Sequence, residues 1–339
     1  MAGEKILVTG ATGMVGSFVA RRAAKDGFAV RVFVRPDSDR SMLDGVDAEI
    51  FEGDLGDYEC FPAALKGIEF VVHAGAHIGD WGAAEKYRAI NVVGLEHFLT
   101  AARNEEQFKR WIQISSLGVY PARHHYGTDE TAAADLTGLD GYTRTKAEAE
   151  VIVNRHIDDD FPAVILRPGF VYGPGDRYVV PRLIRRLDQG IVKFIGDGQK
   201  VLNNVYVGNL VDAILLALGS DEALGETFNI RDGRLVTREE YLMTVAGYLG
   251  KPRPGKVPLW LARSVRPLIE GWAKLTGAKE SPLLTGATIK FMAINLDFSI
   301  DKAISVLGYE PRVDFKDGMK EALDWATGAN RDIGSFRAS

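Results

Sequence analysis

Short apolar runs alternate with amphipathic stretches through the first half of the chain. Residues 6–8, 29–34, 48–51, 70–73, 111–115 and 163–167 have the length and apolar character of buried strands. Between them Val15, Phe18, Val19 and Ala23 recur at helical spacing, and further helices are predicted around 58–66, 83–103 and 142–156. Strands alternating with helices imply an α/β fold, a doubly wound parallel sheet covered on both faces and joined by right-handed crossovers. Such a sheet holds its ligands beyond the carboxyl ends of the strands.

The pattern loosens from Pro168 onward. Proline and glycine cluster at 167–169 and 172–175, which reads as a loop leaving the sheet. Helices follow at 180–187, 210–218 and 238–249, with short strands such as 227–230. The expectation is one domain built on the sheet over 1–167, a smaller lobe closing over it across 168–330 with possible return segments to the sheet, and a tail over 331–339.

Composition narrows the class without choosing a function. The 339 residues are 46% hydrophobic and 26% charged, as in soluble globular enzymes. A formal charge of −5 with no basic run gives no reason to expect nucleic acid. The single cysteine, Cys60, excludes an internal disulfide and suits a reducing compartment. It reads as a small, buried apolar residue rather than a nucleophile. No secretory leader pattern precedes the first strand, and no apolar run is long enough to span a bilayer, so a soluble cytoplasmic protein is expected. The six histidines show no ligand spacing, His124 and His125 fall in an irregular loop, and no metal is expected.

Candidate chemistry starts at Thr9-Gly10-Ala11-Thr12-Gly13-Met14-Val15-Gly16, which joins the first strand to the first helix. A tight glycine turn before a helix aims free N–H groups and the positive end of the helix dipole at an anion. Gly10 permits the turn, Gly13 admits a pyrophosphate, and Gly16 allows close packing of helix on strand. Tyr142 and Lys146 lie one helical turn apart. A nearby ammonium is expected to lower the phenol pKa and suit Tyr142 to acid/base work on an alcohol or ketone, although a solvated surface pair has the same spacing. Ser115 and Ser116 end the fifth strand, where Ser116 can donate to a substrate oxygen or simply cap a turn. Asp54, followed by Leu55, suits an adenine amino group or an ordinary turn. The small residues Ala74, Gly75 and Ala76 leave room for a dinucleotide after His73, which reads as a satisfied strand-end histidine.

In this order and spacing the motifs resemble the extended branch of the short-chain dehydrogenase/reductase family, within the NAD-dependent epimerase/dehydratase superfamily, over nearly the whole chain. Residues 167–176, 196–198 and 205–209 resemble that branch's later motifs. The resemblance implies a Rossmann-type sheet, Tyr142 as acid/base, Lys146 as its tuner and ribose ligand, and Ser116 as the oxygen anchor. It also implies Asn91 as the residue steadying the lysine-bearing helix. Gly10, Ala11, Thr12, Gly13, Met14, Val15, Gly16, Arg35, Asp54, Leu55, Ala74, Gly75, Ala76, Asn91, Tyr142, Lys146 and Pro168 are the cofactor positions it implies. Val34 stands where an acid would bind the ribose of NAD, and Arg35 follows, with Arg40 nearby. These favour NADP, with NAD as the alternative.

Nucleotide-sugar epimerases and dehydratases of the branch carry an Arg-Asp pair after the Gly-Asp-Gly turn, whereas residues 199–204 contain no arginine. Residues 79–82 and 207–209 are instead similar to the 3β-hydroxysteroid and sterol-4α-carboxylate dehydrogenase group, with dihydroflavonol reductases as neighbours. That similarity implies hydride exchange with a secondary alcohol or ketone on a hydrophobic ring. Nucleotide-sugar chemistry and a non-catalytic dinucleotide sensor are the alternatives. Leu261, Val265, Leu268, Trp272 and Leu275 share one helical face, which suits core packing, a lid over an apolar pocket, or peripheral contact with a membrane. The branch also implies a homodimer through the helices at 83–103 and 142–156.

Overall fold

The computed structural model describes residues 3–78, 84–138, 140–276, 284, 289 and 292–331, without the side chains of Ala273 and Lys274. The Gly79-Asp80-Trp81-Gly82 motif, Ala83, Leu139 and residues 332–339 of the expected tail lie outside the described residues.

Seven strands form the main sheet: β1 (Lys5–Thr9), β2 (Ala29–Val34), β3 (Ala48–Glu52), β4 (Phe70–His73), β5 (Arg110–Ile114), β6 (Ala163–Pro168) and β7 (Thr227–Ile230). Their spatial order is β7-β6-β5-β4-β1-β2-β3 and every pairing is parallel. The order reverses between β1 and β4, which opens a crevice at their carboxyl ends. Burial on both faces explains why the inner strands read as continuous apolar runs. Alternation sends Ile6 and Val8 into one apolar cluster with Phe18 and Leu210, and Leu7 into the opposite cluster with Phe61, Phe98 and Trp111. Residues 227–230, grouped with the later lobe by the sequence pattern, supply β7 and return to pair with β6.

Among the described residues the α-helices are α1 (Met14–Lys25), α2 (Phe61–Leu65), α3 (Ala84–Arg88), α4 (Leu95–Arg103), α5 (Gly141–Asp158), α6 (Val179–Asp188), α7 (Val207–Gly219), α8 (Arg238–Tyr248), α9 (Leu259–Leu275), α10 (Asp301–Leu307) and α11 (Phe315–Thr327). The helix expected over 83–103 is interrupted by a π-helical stretch, Ala89–Gly94. Gly94 presses on the carbonyl of Leu55 so closely that a Cβ there would overlap it. The widened turn places Asn91 inward, a common use of π-bulges. α5 begins with a capping box between Asp140 and Thr143, whose N–H donates to the Asp140 carboxylate at 2.7 Å.

Two outer features differ from the sequence-based expectation. His125 opens a short strand, His125–Thr128, paired with Leu296–Phe298, instead of lying in an irregular loop. The apolar face of α9 is turned to solvent: Trp260, Leu268, Trp272 and Leu275 are each at least 69% exposed, and the helix seats itself through the small side chain of Ala262. Packing of that face on the core therefore does not hold. Among the described residues no helix is long and apolar enough to cross a membrane.

Candidate active site

The glycine turn is built by steric necessity. Gly10 has φ +66°, and a Cβ there would lie 2.8 Å from the Gly75 nitrogen and 2.9 Å from the Ala74 oxygen. The turn closes through Gly13 N–H donating to the Gly10 carbonyl at 2.9 Å. A Cβ on Gly16 would lie 2.6 Å from the Gly10 carbonyl carbon, so α1 rests directly on the turn. No side chain caps α1 at Gly13, and its first turn holds no acidic residue. The helix therefore presents uncapped N–H groups and an unopposed dipole to the crevice, as an anion site requires.

A cleft of about 970 Å³ runs from this turn along the carboxyl ends of the strands. Gly10, residues 12–16, Arg35, Asp54, Leu55, residues 74–76, Ser116, Tyr142, Lys146 and Pro168 all line it. Ala11 and Asn91 do not. Ala11 is wholly buried in the core. Asn91 is buried and acts at one remove: its Oδ1 accepts from His77 N–H at 2.7 Å, and its Nδ2 donates to the His77 carbonyl at 3.0 Å and to Thr145 Oγ1 at 3.1 Å. It ties the exit of β4 to α5. A dinucleotide fits this crevice: glycines at 10 and 75 bring two backbone segments together where side chains would block the way, beside an uncapped helix start.

Tyr142 and Lys146 project from the first turns of α5, with Lys146 Nζ 5.9 Å from the Tyr142 ring centroid. The ammonium donates to the Ile114 carbonyl at 2.6 Å. Burial brings the Lys146 pKa down to about 8, against the opposing pull of Glu150. Tyr142 departs from expectation, because enclosure, reinforced by the Asp140 carboxylate, pushes its phenol up to about 12. The lysine is directed at a β5 carbonyl rather than at the phenol oxygen, so desolvation of the phenolate outweighs any help from the ammonium. Ser116 Oγ accepts from Gly118 N–H at 2.9 Å, capping the 3₁₀ turn Leu117–Val119, and its own proton can still be donated into the cleft. His73 is buried, bonded through Nδ1 to Thr9 Oγ1 at 3.0 Å, and burial lowers its pKa to about 3. Thr9 Oγ1 also accepts from Gly75 N–H at 2.9 Å, so the neutral histidine helps to hold the cradle.

Beneath the site runs a buried polar chain that the sequence reading passed over. Arg167 donates to both oxygens of Glu150, at 2.9 and 2.7 Å, and to the Tyr120 hydroxyl at 2.7 Å. Ser115 Oγ donates to Glu150 as well, and Tyr120 donates to Asn229 Oδ1 at 3.0 Å. The available signal was Glu150 one turn beyond Lys146, on the face that meets the sheet. Asp54 Oδ1 accepts from Gly56 N–H at 2.8 Å, forming the ordinary turn while lining the cleft. Arg40 is corrected: it pairs with Glu52 and does not line the cleft, whereas Arg35 does. Cys60 is half-buried, with its thiol donating to the Asp57 carbonyl at 3.0 Å. Among the described residues no cluster of His, Cys, Asp or Glu has the arrangement of a metal site.

Residues 6–230 match the NAD dependent epimerase/dehydratase family. The chain is 29% identical to a 2-alkyl-3-oxoalkanoate reductase of Stenotrophomonas maltophilia over 93% of its own length and 97% of the relative's. It is 30% identical to the decarboxylating sterol-4-alpha-carboxylate 3-dehydrogenase of Candida albicans, over 95% and 97% of the two chains. The crystal structure of UDP-glucuronic acid 4-epimerase from Bacillus cereus, with UDP-glucuronic acid and NAD, superposes with a TM-score of 0.76. That match covers 96% of this chain and 100% of the other at 22% identity, a likeness of fold.

Proposed function

This chain belongs to the NAD-dependent epimerase/dehydratase family as an oxidoreductase of the extended short-chain type, and from there we propose that it exchanges hydride with a secondary alcohol or ketone on a hydrophobic skeleton. The observation that carries this reading is the convergence of Ser116, Tyr142 and Lys146 on the same cleft as the glycine turn. A bound nicotinamide supplies the hydride in the reductive direction and accepts it in the other. Ser116 holds the substrate oxygen by donation from its hydroxyl, stabilising charge as it develops there. Tyr142 is the proposed donor of the proton that oxygen takes up: its raised pKa keeps the phenol protonated in the empty cleft but makes it a weak acid, so donation requires the occupied site to bring that pKa down. Lys146 lines the same cleft with its ammonium donating to the Ile114 carbonyl, and is the residue we assign to hold a ribose hydroxyl.

An apolar substrate is supported by Phe170, Val171 and Leu296, which line the cleft, and by the absence of arginine from residues 199–204. A diphosphate there would lack a guanidinium clamp, which disfavours nucleotide-sugar chemistry. Both relatives named above act, by their names, at position 3 of a carboxylate-bearing apolar skeleton. We extend that class to this chain, open-chain 3-oxoalkanoates beside sterol-like and flavanonol-like rings. NADP is the proposed cofactor on the strength of Arg35. A substrate lobe over 168–330, a homodimer and a cytoplasmic setting complete the proposal, with the exposed α9 face serving as lid or peripheral membrane contact.

Replacing Tyr142 by Phe removes the proton and little volume. Turnover of a 3-oxo substrate is expected to fall at least 10²-fold while NADP affinity changes less than about threefold. Retained turnover in Tyr142→Phe refutes the assignment.

A further inference from the structure

Two walls of the cleft meet beyond the end of β2. On one side, Ser38 folds back on the Arg35 carbonyl, with its N–H at 3.1 Å and its hydroxyl at 2.6 Å, and Asp39 follows. On the other, a loop from the lobe side is pinned at two points. Gly175, at φ +91°, leaves no room for a Cβ beside the Met42 side chain. The Asp176 carboxylate accepts from Tyr178, Val179 and Val180 N–H, each at 2.9 Å, and so anchors the start of α6. Between these anchors Arg177 reaches across, its Nη2 2.8 Å from Asp39 Oδ2 and 3.4 Å from Ser41 Oγ. Arg35, Asp37, Ser38, Asp39 and Arg177 line the same cleft.

The Asp39 side chain is 59% exposed and that of Arg177 35%, so water screens the pair and holds it weakly. We propose that Arg177 is a second cation for the 2′-phosphate of NADP, brought from the lobe side and held by Asp39 until the phosphate arrives. This rests on the NADP reading above. A phosphate offers more charge and three acceptor oxygens to a planar guanidinium, and outcompetes a single screened carboxylate. NAD has only a hydroxyl at that position and leaves Arg177 on Asp39. Cofactor identity is then read by both walls of the cleft, Arg35 from the sheet and Arg177 from the lobe.

The test is titration of NADP⁺ and NAD⁺ into the full chain and its variants Arg177→Met, Asp39→Asn and the double variant. Wild type is expected to bind NADP⁺ more tightly. Arg177→Met is expected to weaken NADP⁺ about tenfold and to leave NAD⁺ within twofold; Asp39→Asn should keep or tighten NADP⁺ binding. The double variant should stay as weak as Arg177→Met. Recovery of wild-type affinity in the double variant would mean that Arg177 only neutralises Asp39, and overturns direct contact. An unchanged NADP⁺/NAD⁺ ratio in Arg177→Met, beside a wild type that prefers NADP⁺, overturns this inference alone. A wild type without that preference overturns the cofactor reading as well. If Arg177→Met folds poorly by circular dichroism, Arg177→Lys serves instead, with a threefold loss expected and no loss overturning the proposal.

Discussion

Replacing Lys146 by Met should make the empty protein more stable at neutral pH while removing its activity. Burial lowers the lysine from 10.5 to about 8, a displacement that corresponds to about 3 kcal/mol of penalty on the charged form. The sign follows from the order of the two values. Below pH 8 both folded and unfolded chains carry the proton, and the folded state bears the whole penalty. Between about 8 and 10.5 the folded lysine is neutral while the unfolded one is still charged, so the penalty fades as pH rises. Above 10.5 it is gone. Methionine is apolar, of similar length and adaptable in packing, but it cannot donate to the Ile114 carbonyl, a loss of about 1 kcal/mol. The net expectation is a gain of about 1–2 kcal/mol at pH 7 that shrinks and reverses near pH 10. Equilibrium urea unfolding of wild type and Lys146→Met at several pH values reads this directly, with cofactor absent throughout. A variant less stable than wild type at pH 7, or a difference that does not vary with pH, refutes the claim that desolvation governs this lysine.

Two further substitutions probe the supports of the site. Glu150→Gln leaves the Arg167 guanidinium, whose side chain is 8% exposed, without its counter-charge; unfolding free energy should drop by about 3 kcal/mol, and a drop below about 1 kcal/mol would show that Arg167 is not dependent on that pair. Gly10→Ala forces a side chain into φ +66° and against the Ala74–Gly75 backbone; a stability loss of about 1–3 kcal/mol and at least tenfold weaker NADP⁺ binding are expected, and unchanged affinity would detach the turn from the cofactor.

Much of the fold is readable residue by residue. The strands at 29–34 and 70–73 match the structure in full, because strands covered on both faces read as near-continuous apolar runs, broken here by Arg31 and His73. The glycine turn and the Tyr142–Lys146 pair are local motifs, so their spacing already carries their geometry. The helix expected over 83–103 shows where such reading ends: its periodicity continues, yet the chain takes a π-helical turn that ends where Gly94 meets the Leu55 carbonyl, a long-range contact that no local pattern announces. The α9 face is a second case, since amphipathicity predicts a helix but not which neighbour receives it.

The sequence by itself determined the alternation of strand and helix, the glycine turn at Gly10–Gly16 and the one-turn spacing of Tyr142 and Lys146, because each depends on residues within a few positions of one another, whereas Ser116 joined that pair through the family resemblance. Only the tertiary structure decided the rest: that Glu150 meets Arg167, that Asn91 braces α5, that Arg177 crosses to Asp39, and that Tyr142 is raised while Lys146 is lowered. Those contacts join distant parts of the chain. The ionisation of the pair depends on how much water the surrounding protein removes, which periodicity does not encode.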